Sequence, residues 1–195
     1  KVKLVGERTV QEKYAVFLDI NLPFQSDLMH SGLQAVNATS YFKSLNRFFD
    51  IIEKSYGIQV VIASHPKARY GCEEFNQRKT YRLVTAELVK DAEFVITHTS
   101  TAVGYAVLNL KPVLFIYTNE MMSLYQHTVM REIDSLALYL KASTYNVDQI
   151  TNDCEVSIQP PNLAQYDLYK YSFLTSHDSE NLTSAEIFWR EVSGL

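Results

Sequence analysis

The stretch Val60–Tyr70, "VVIASHPKARY", runs from an apolar, β-branched segment straight into a histidine, a proline and two cations. From Ile58 to Ser64 ("IQVVIAS") the segment shows no inside–outside alternation, the pattern of a strand covered on both faces in a parallel sheet. A second stretch, Phe94–Leu108 ("FVITHTSTAVGYAVL"), repeats the arrangement: a short apolar strand, then His98, Thr99, Ser100 and Thr101, then a helix. Two buried strands, each ending in groups that bond anions, predict two neighbouring sheet ends converging on one negatively charged ligand.

Working outward, "YAVFLDI" (Tyr14–Ile20) reads as a central strand ending at Asp19, followed by a polar loop broken by Pro23 and Gly32. Tyr41, Phe42, Leu45, Phe48, Phe49 and Ile52 fall on one face at helical spacing, and Gly57 stops that helix. "TYRLV" reads as a short edge strand, and Thr85 is expected to cap "AELVKDA". A helix is predicted from about Thr101 to Leu110, its small residues Ala102, Gly104 and Ala106 laid deep against the sheet. Lys111-Pro112 closes it, and Lys111 falls at the opposite end of the sheet because it precedes the strand "VLFIY". A helical segment broken near His127 follows, then "STYNVD" as a last strand. The fold class expected is α/β, a Rossmann-like doubly wound parallel sheet, over residues 1–150. Residues 151–195 form a helical tail whose aromatics, Tyr166, Tyr169, Tyr171, Phe173 and Trp189, read as packing residues at helical spacing.

Composition narrows the function classes. A chain of 195 residues is long enough for a substantial core. A formal net charge of −4 argues against a general nucleic-acid binder, which needs a cationic surface. Two cysteines, Cys72 and Cys154, make neither a disulfide framework nor a four-ligand zinc site, and point to reduced thiols in a cytoplasmic setting. No Asp-x-Asp pair of the sort that holds a divalent ion on a nucleotide-sugar is present, so no metal is expected. Neither a bilayer-spanning apolar run nor a signal peptide is seen. The chain begins with Lys, which suggests a piece of a longer protein. The sequons at Asn37 and Asn181 are weak motifs.

In open parallel sheets, ligands bind beyond the carboxyl ends of the strands where strand order reverses. A strand leading into a helix leaves free N–H groups at the helix start, and Ser100 and Thr101 add hydroxyl donors there, a combination suited to phosphate. There is no Gly-x-Gly-x-x-Gly and no Gly-x-x-x-x-Gly-Lys-Ser/Thr, which removes dinucleotide oxidoreductases and phosphate-loop nucleotidases from the candidates.

"SHPKARY" followed by "THTSTAVGYAVLNLKPVLF" resembles the His-Pro and Ser-Ser/Thr motifs of bacterial GT-B glycosyltransferases, notably those that use CMP-sugars (sialyl- and Kdo-type) for surface polysaccharides. The likeness is clearest from about Val60 to Ile116. It implies the donor-binding, carboxy-terminal half of such an enzyme, lacking the amino-terminal acceptor domain that usually supplies the base. The implied donor is a nucleotide-sugar acting as co-substrate with no further cofactor, and the acceptor is a polysaccharide or lipooligosaccharide. The implied location is cytoplasmic, extending to the periphery of the inner membrane. The resemblance makes His65 the catalytic donor to the phosphate, with Thr99, Ser100 and Thr101 binding that phosphate. Pro66, Lys67 and Glu87 would serve the nucleotide and ribose, with His98 and Asp19 as further candidates and Arg69 as a second cation within reach of the donor.

Each residue also has a plain structural reading. His65 would bond backbone in a loop, Ser100 and Thr101 would cap a helix, His98 would point into the core, and Glu87 would sit where a helix dipole favours an acid. Lys67 and Arg69 would be solvated charges. Two rival functions fit the same architecture: a nucleotide-sugar epimerase, which needs no acceptor, and a binding or assembly module without chemistry.

Overall fold

The computed structural model describes residues 9–25, 30–152 and 155–193. Six parallel strands form one open sheet: β1 (Tyr14–Leu18), β2 (Gln59–Ser64), β3 (Thr80–Arg82), β4 (Phe94–Thr97), β5 (Val113–Tyr117) and β6 (Ser143–Asn146). Their spatial order is 3-2-1-4-5-6, which is the doubly wound, Rossmann-like arrangement. Helix α1 (Ala38–Tyr56) links β1 to β2, α2 (Thr85–Asp91) links β3 to β4, and α3 (Val103–Leu108) links β4 to β5. Helices α4 (Asn119–Leu124) and α5 (Val129–Leu140) lead to β6, and the tail carries α6 (Leu163–Tyr169), a π-helical turn over Lys170–Leu174, and α7 (Ser184–Ser193).

Alternate residues of β1 serve opposite layers. Phe17 packs on Phe49 of α1 with ring centroids 5.2 Å apart, while Tyr14 Oη donates to the Leu88 carbonyl of α2 at 2.8 Å. All five residues of β1 are buried, as two-sided cover demands. In α1 the buried residues are Tyr41, Phe42, Leu45, Phe48, Phe49 and Ile52, the predicted face. Burial of a large apolar side chain is worth about 1.5–3 kcal/mol, against tenths for helix propensity, so packing holds this helix. Asn37 caps its start by accepting the Ser40 N–H, and Gly57 ends it in the left-handed region at φ 61°.

Two local expectations need correction. Thr85 does not cap α2: Val84 occupies the N-cap position and no side chain bonds the free N–H groups, because the chain enters from Leu83 at a left-handed φ of 62°. Helix α3 starts at Val103 rather than Thr101 and is only six residues long, because Ser100–Ala102 are spent on a turn. The break near His127 falls where expected, between α4 and α5.

The first part of the tail docks on this sheet's own helical layer. Tyr166 is buried and donates to the Lys111 carbonyl at 2.8 Å, and a Cβ on Gly104 would lie 3.0 Å from Leu174 Cδ2. Small residues in α3 thus leave room for the tail. Phe173 packs against Tyr139 and Tyr169, with ring centroids 5.6 and 4.9 Å away, yet stays 63% exposed. Trp189, also 63% exposed, lies outside the core, and Tyr171 stacks on His177 instead of entering it. Among the described residues, no helix is long and apolar enough to cross a membrane, and no cluster of His, Cys, Asp or Glu is placed to hold a metal. Cys72 is a free, exposed thiol, and Cys154 lies outside the described residues.

Candidate functional site

The strand order reverses between β1 and β4: the chain leaves β1 towards β2 on one side and leaves β4 towards β5 on the other. Register places the ends of these strands level, with Leu18 opposite Ala63 of β2 and Thr97 of β4. Asp19, His65 and His98, each one residue beyond these strands or close to it, therefore gather at one rim.

Two hollows meet there. One, of about 420 Å³, is lined by Ile20, Gln25, His65, Thr99, Ser100 and Thr101, with Thr128, Val129 and Glu132 from the start of α5 and Ser31 and Leu33 from the loop above. The other, of about 350 Å³, shares Ile20, Gln25 and His65 and adds Asn21, Phe24, Lys67, Arg69 and Glu74. The imidazole and the hydroxyl residues thus border one cavity. Pro66 and Glu87 line neither hollow. Pro66 serves through its carbonyl, a 3.4 Å acceptor for Arg69, and Glu87 stands in the first turn of α2.

His65 is held at its backbone and biased at its ring. Its N–H donates to Asp19 Oδ2 at 3.0 Å, and its Nδ1 accepts the Lys67 N–H at 3.2 Å. An acceptor Nδ1 leaves the proton on Nε2, so the neutral ring is a hydrogen-bond donor at its far nitrogen. Asp19 is the hub of this corner. Besides His65 it accepts the Asn21 N–H at 2.8 Å and the Tyr70 hydroxyl at 3.0 and 3.1 Å, and Tyr70 also reaches Asn21 Oδ1 at 2.9 Å. Burial pushes the Asp19 carboxyl above its ordinary range, while the His65 and Asn21 N–H groups and the Tyr70 hydroxyl pull it back. Asp19 is only 5% exposed, and its bonds are spent on fixing the loop that carries His65. Sequence reading placed it at this edge without a role; Tyr70 and Asn21, which complete the network, were missed. Tyr70 closes the quoted stretch "SHPKARY" but drew no notice beside its histidine and cations, Asn21 lies in a loop, and only the fold brings the two together.

His98 belongs to the interior. It is fully buried, its Nδ1 donates to the Ile116 carbonyl at 2.7 Å, and its Nε2 then accepts the Tyr41 hydroxyl at 2.8 Å. The carbonyl only accepts, so the tautomer is fixed. Burial lowers its pKa to about 4, against the pull of the Ile116 carbonyl, and Phe17 packs edge-on against the ring. His98 clamps α1 to β4 and β5 and does not reach the cleft.

On the opposite wall, Ser100 Oγ accepts the Ala102 N–H at 3.2 Å, while the Ser100 and Thr101 carbonyls accept the N–H groups of Val103 and Gly104. Ser100 and Thr101 therefore do not cap the helix, whose N-cap is Ala102 with no side-chain bond; the Ser100 oxygen serves a turn, and its hydroxyl hydrogen stays uncommitted among the described residues. With α3 so short, hydroxyls rather than a helix dipole supply the donors here. Thr99 Oγ1 donates to Glu132 Oε2 at 3.1 Å across the hollow. Thr128, Val129 and Glu132 were not anticipated; the signal for them was the helix break near His127, which follows the end of another strand. A carboxylate at Glu132 suits sugar hydroxyls, while the cations Lys67 and Arg69 stand on the other side of His65.

Fold and site together define an open α/β unit with a polar ligand cleft at its topological switch point. In comparisons with known proteins, no family model and no curated protein matches the chain. Among solved structures, the glycosyltransferase SnogD from Streptomyces nogalater aligns with a TM-score of 0.55 at 12% identity, over 97% of this chain and 45% of that one. The chain thus spans less than half of that enzyme's length. The glycotransferase of kitacinnamycin gives a TM-score of 0.39 at 12% identity, covering 75% of this chain and 36% of that one. The UDP-GlcNAc 2-epimerase of Methanocaldococcus jannaschii gives 0.40 at 14% identity, covering 82% and 44%. The likeness to SnogD is one of fold: a Rossmann-like unit that aligns with 45% of that glycosyltransferase.

Proposed function

We propose that this chain is the donor-binding half of a glycosyltransferase, taking a nucleotide-sugar, CMP-linked first and UDP-linked second, for transfer to a surface polysaccharide or lipooligosaccharide. The observation that carries the reading is the shared hollow in which His65 faces Thr99, Ser100 and Thr101 at the switch point. The donor phosphate lies between the His65 Nε2–H and the hydroxyls of Ser100 and Thr101, with Lys67 beside it. Glu132 accepts hydroxyls of the ribose or sugar, a task Glu87 cannot share from outside the hollow.

In the transfer, the bond from the anomeric carbon to phosphate oxygen breaks as the acceptor hydroxyl oxygen bonds that carbon. Negative charge grows on the departing phosphate, and preset donors there lower the barrier. The hydroxyl proton passes to a base on a second Rossmann-like half, onto which the distal tail, with exposed Phe188 and Trp189, crosses back. Calorimetric titration with CMP and UDP tests the reading. Binding is expected, weakened about tenfold by His65→Ala and less by Ser100→Ala, each removing a hydrogen bond to a charged group. Absence of heat with either nucleotide while circular dichroism shows an intact fold overturns it.

A further inference from the structure

We propose a second binding site, for an anionic carbohydrate chain, in the groove beside the edge strand β3. This groove, of about 580 Å³, is lined by Ser64, Ala68, Arg69, Tyr70, Gly71, Cys72, Gln77, Arg78, Thr80 and Arg82. Three of those residues are arginines and none is an acid, in a chain whose formal net charge is −4. The volume falls in the range of about 300–1,000 Å³ usual for ligand clefts, but the polar lining suits a hydrophilic ligand better than an apolar one.

The three arginines do different work. Arg78 is committed: its guanidinium bonds Glu53 twice, Asp50, and Asn46 Oδ1, so two carboxylates behind the groove balance its charge. Arg69 and Arg82 are not balanced. Arg69 Nη1 touches only the carbonyls of Ala68 and Pro66, at 3.0 and 3.4 Å, contacts that orient the group without neutralising it. Arg82 is exposed at the end of β3 and has no acidic partner among the described residues. Two orientable guanidinium groups facing one polar groove match carboxylate or phosphate oxygens, which an arginine fork binds in pairs. Among the described residues β3 pairs on one side only, with β2, which leaves its outer edge without a strand partner there.

Position gives the groove its role. Arg69 lines both this groove and the 350 Å³ hollow, and His65 joins that hollow to the 420 Å³ one. The three spaces therefore adjoin in series, through Arg69 and then His65, and in this proposal a chain held at Arg82 and Arg69 ends at His65. An anionic, hydroxyl-rich acceptor fits that series. Its role as acceptor rests on the donor reading above; its binding does not.

The test is titration of the chain with a hyaluronan tetrasaccharide, which alternates glucuronate and N-acetylglucosamine, beside the neutral tetramer of N-acetylglucosamine and inorganic phosphate. The acidic tetrasaccharide is expected to bind, about tenfold more weakly after Arg82→Ala and more weakly again after the double change with Arg69→Ala, and to weaken with added salt. Arg82→Ala is expected to leave CMP and UDP binding unchanged. No binding of the acidic tetrasaccharide, equal affinity in the double variant, equal binding of the neutral tetramer, or Arg82-dependent binding of phosphate alone each overturns the proposal. Tetrasaccharide binding without nucleotide binding leaves the groove standing and removes the donor reading instead.

Discussion

At the scale of single residues, the site depends on groups that never touch a ligand. Asp19 is buried with three kinds of donor around it, and removing one exposes what the others hold. Tyr70→Phe deletes the phenolic donor and is expected to cost about 1–3 kcal/mol in urea unfolding, the range for leaving a buried acceptor short of a partner. The same variant should weaken nucleotide binding through the displaced His65 loop, a coupled loss that a purely structural tyrosine would not give. His98 offers a pH signature. Its folded pKa, about 4, lies below the ordinary 6.5, so the unfolded state binds the extra proton first. Stability from this group is complete above pH 6.5 and falls as pH drops towards 4, by roughly 2–4 kcal/mol in all. Asp19 acts with the opposite sign, since its raised pKa favours the folded state at low pH. The difference between wild type and His98→Gln in chemical denaturation across pH 4–7 isolates the histidine, and the variant's profile should be flatter.

At the scale of elements, periodicity and punctuation were read correctly where one force dominates. The α1 face, its Gly57 stop and the four buried strands β1, β2, β4 and β5 follow from apolar spacing because burial outweighs everything else there, whereas β3 and β6 are polar and only partly covered. Gly57→Ala is expected to cost about 1 kcal/mol in thermal or urea unfolding. A Cβ there meets nothing within 4 Å, so the cost is purely that of φ 61°. Helix starts were read less well, because they turn on small competing bonds. Val84 displaced Thr85 through a left-handed Leu83, and Ser100 spent its oxygen on a turn that shortened α3. The tail aromatics illustrate the same limit. Tyr166 and Tyr169 pack as their spacing implies, while Phe173, past the onset of the π-helical turn, touches Tyr169 and Tyr139 but stays largely exposed.

At the scale of the whole molecule, strand order does what no local pattern announces. That His65 and Ser100 come to one rim was legible, because each followed a buried strand directly; the expectation that their two strands are neighbours fails, because β1 runs between β2 and β4. That Thr128 and Glu132 at the start of α5 close the same hollow was not, since they lie 28 and 32 positions beyond Ser100 and only the parallel sheet brings them over. The arginine groove was equally hidden: Arg69, Arg78 and Arg82 look like scattered surface charges until β3 is placed at the edge. The two walls of the main cleft also differ in how they are fastened. On one, an interior carboxylate ties the His65 segment to the central strand by its main chain; on the other, one solvent-facing contact joins Thr99 to Glu132. A ligand entering between them would meet one jaw anchored from the interior and one joined at the surface, and any tightening of the aperture is expected from the Thr99 side.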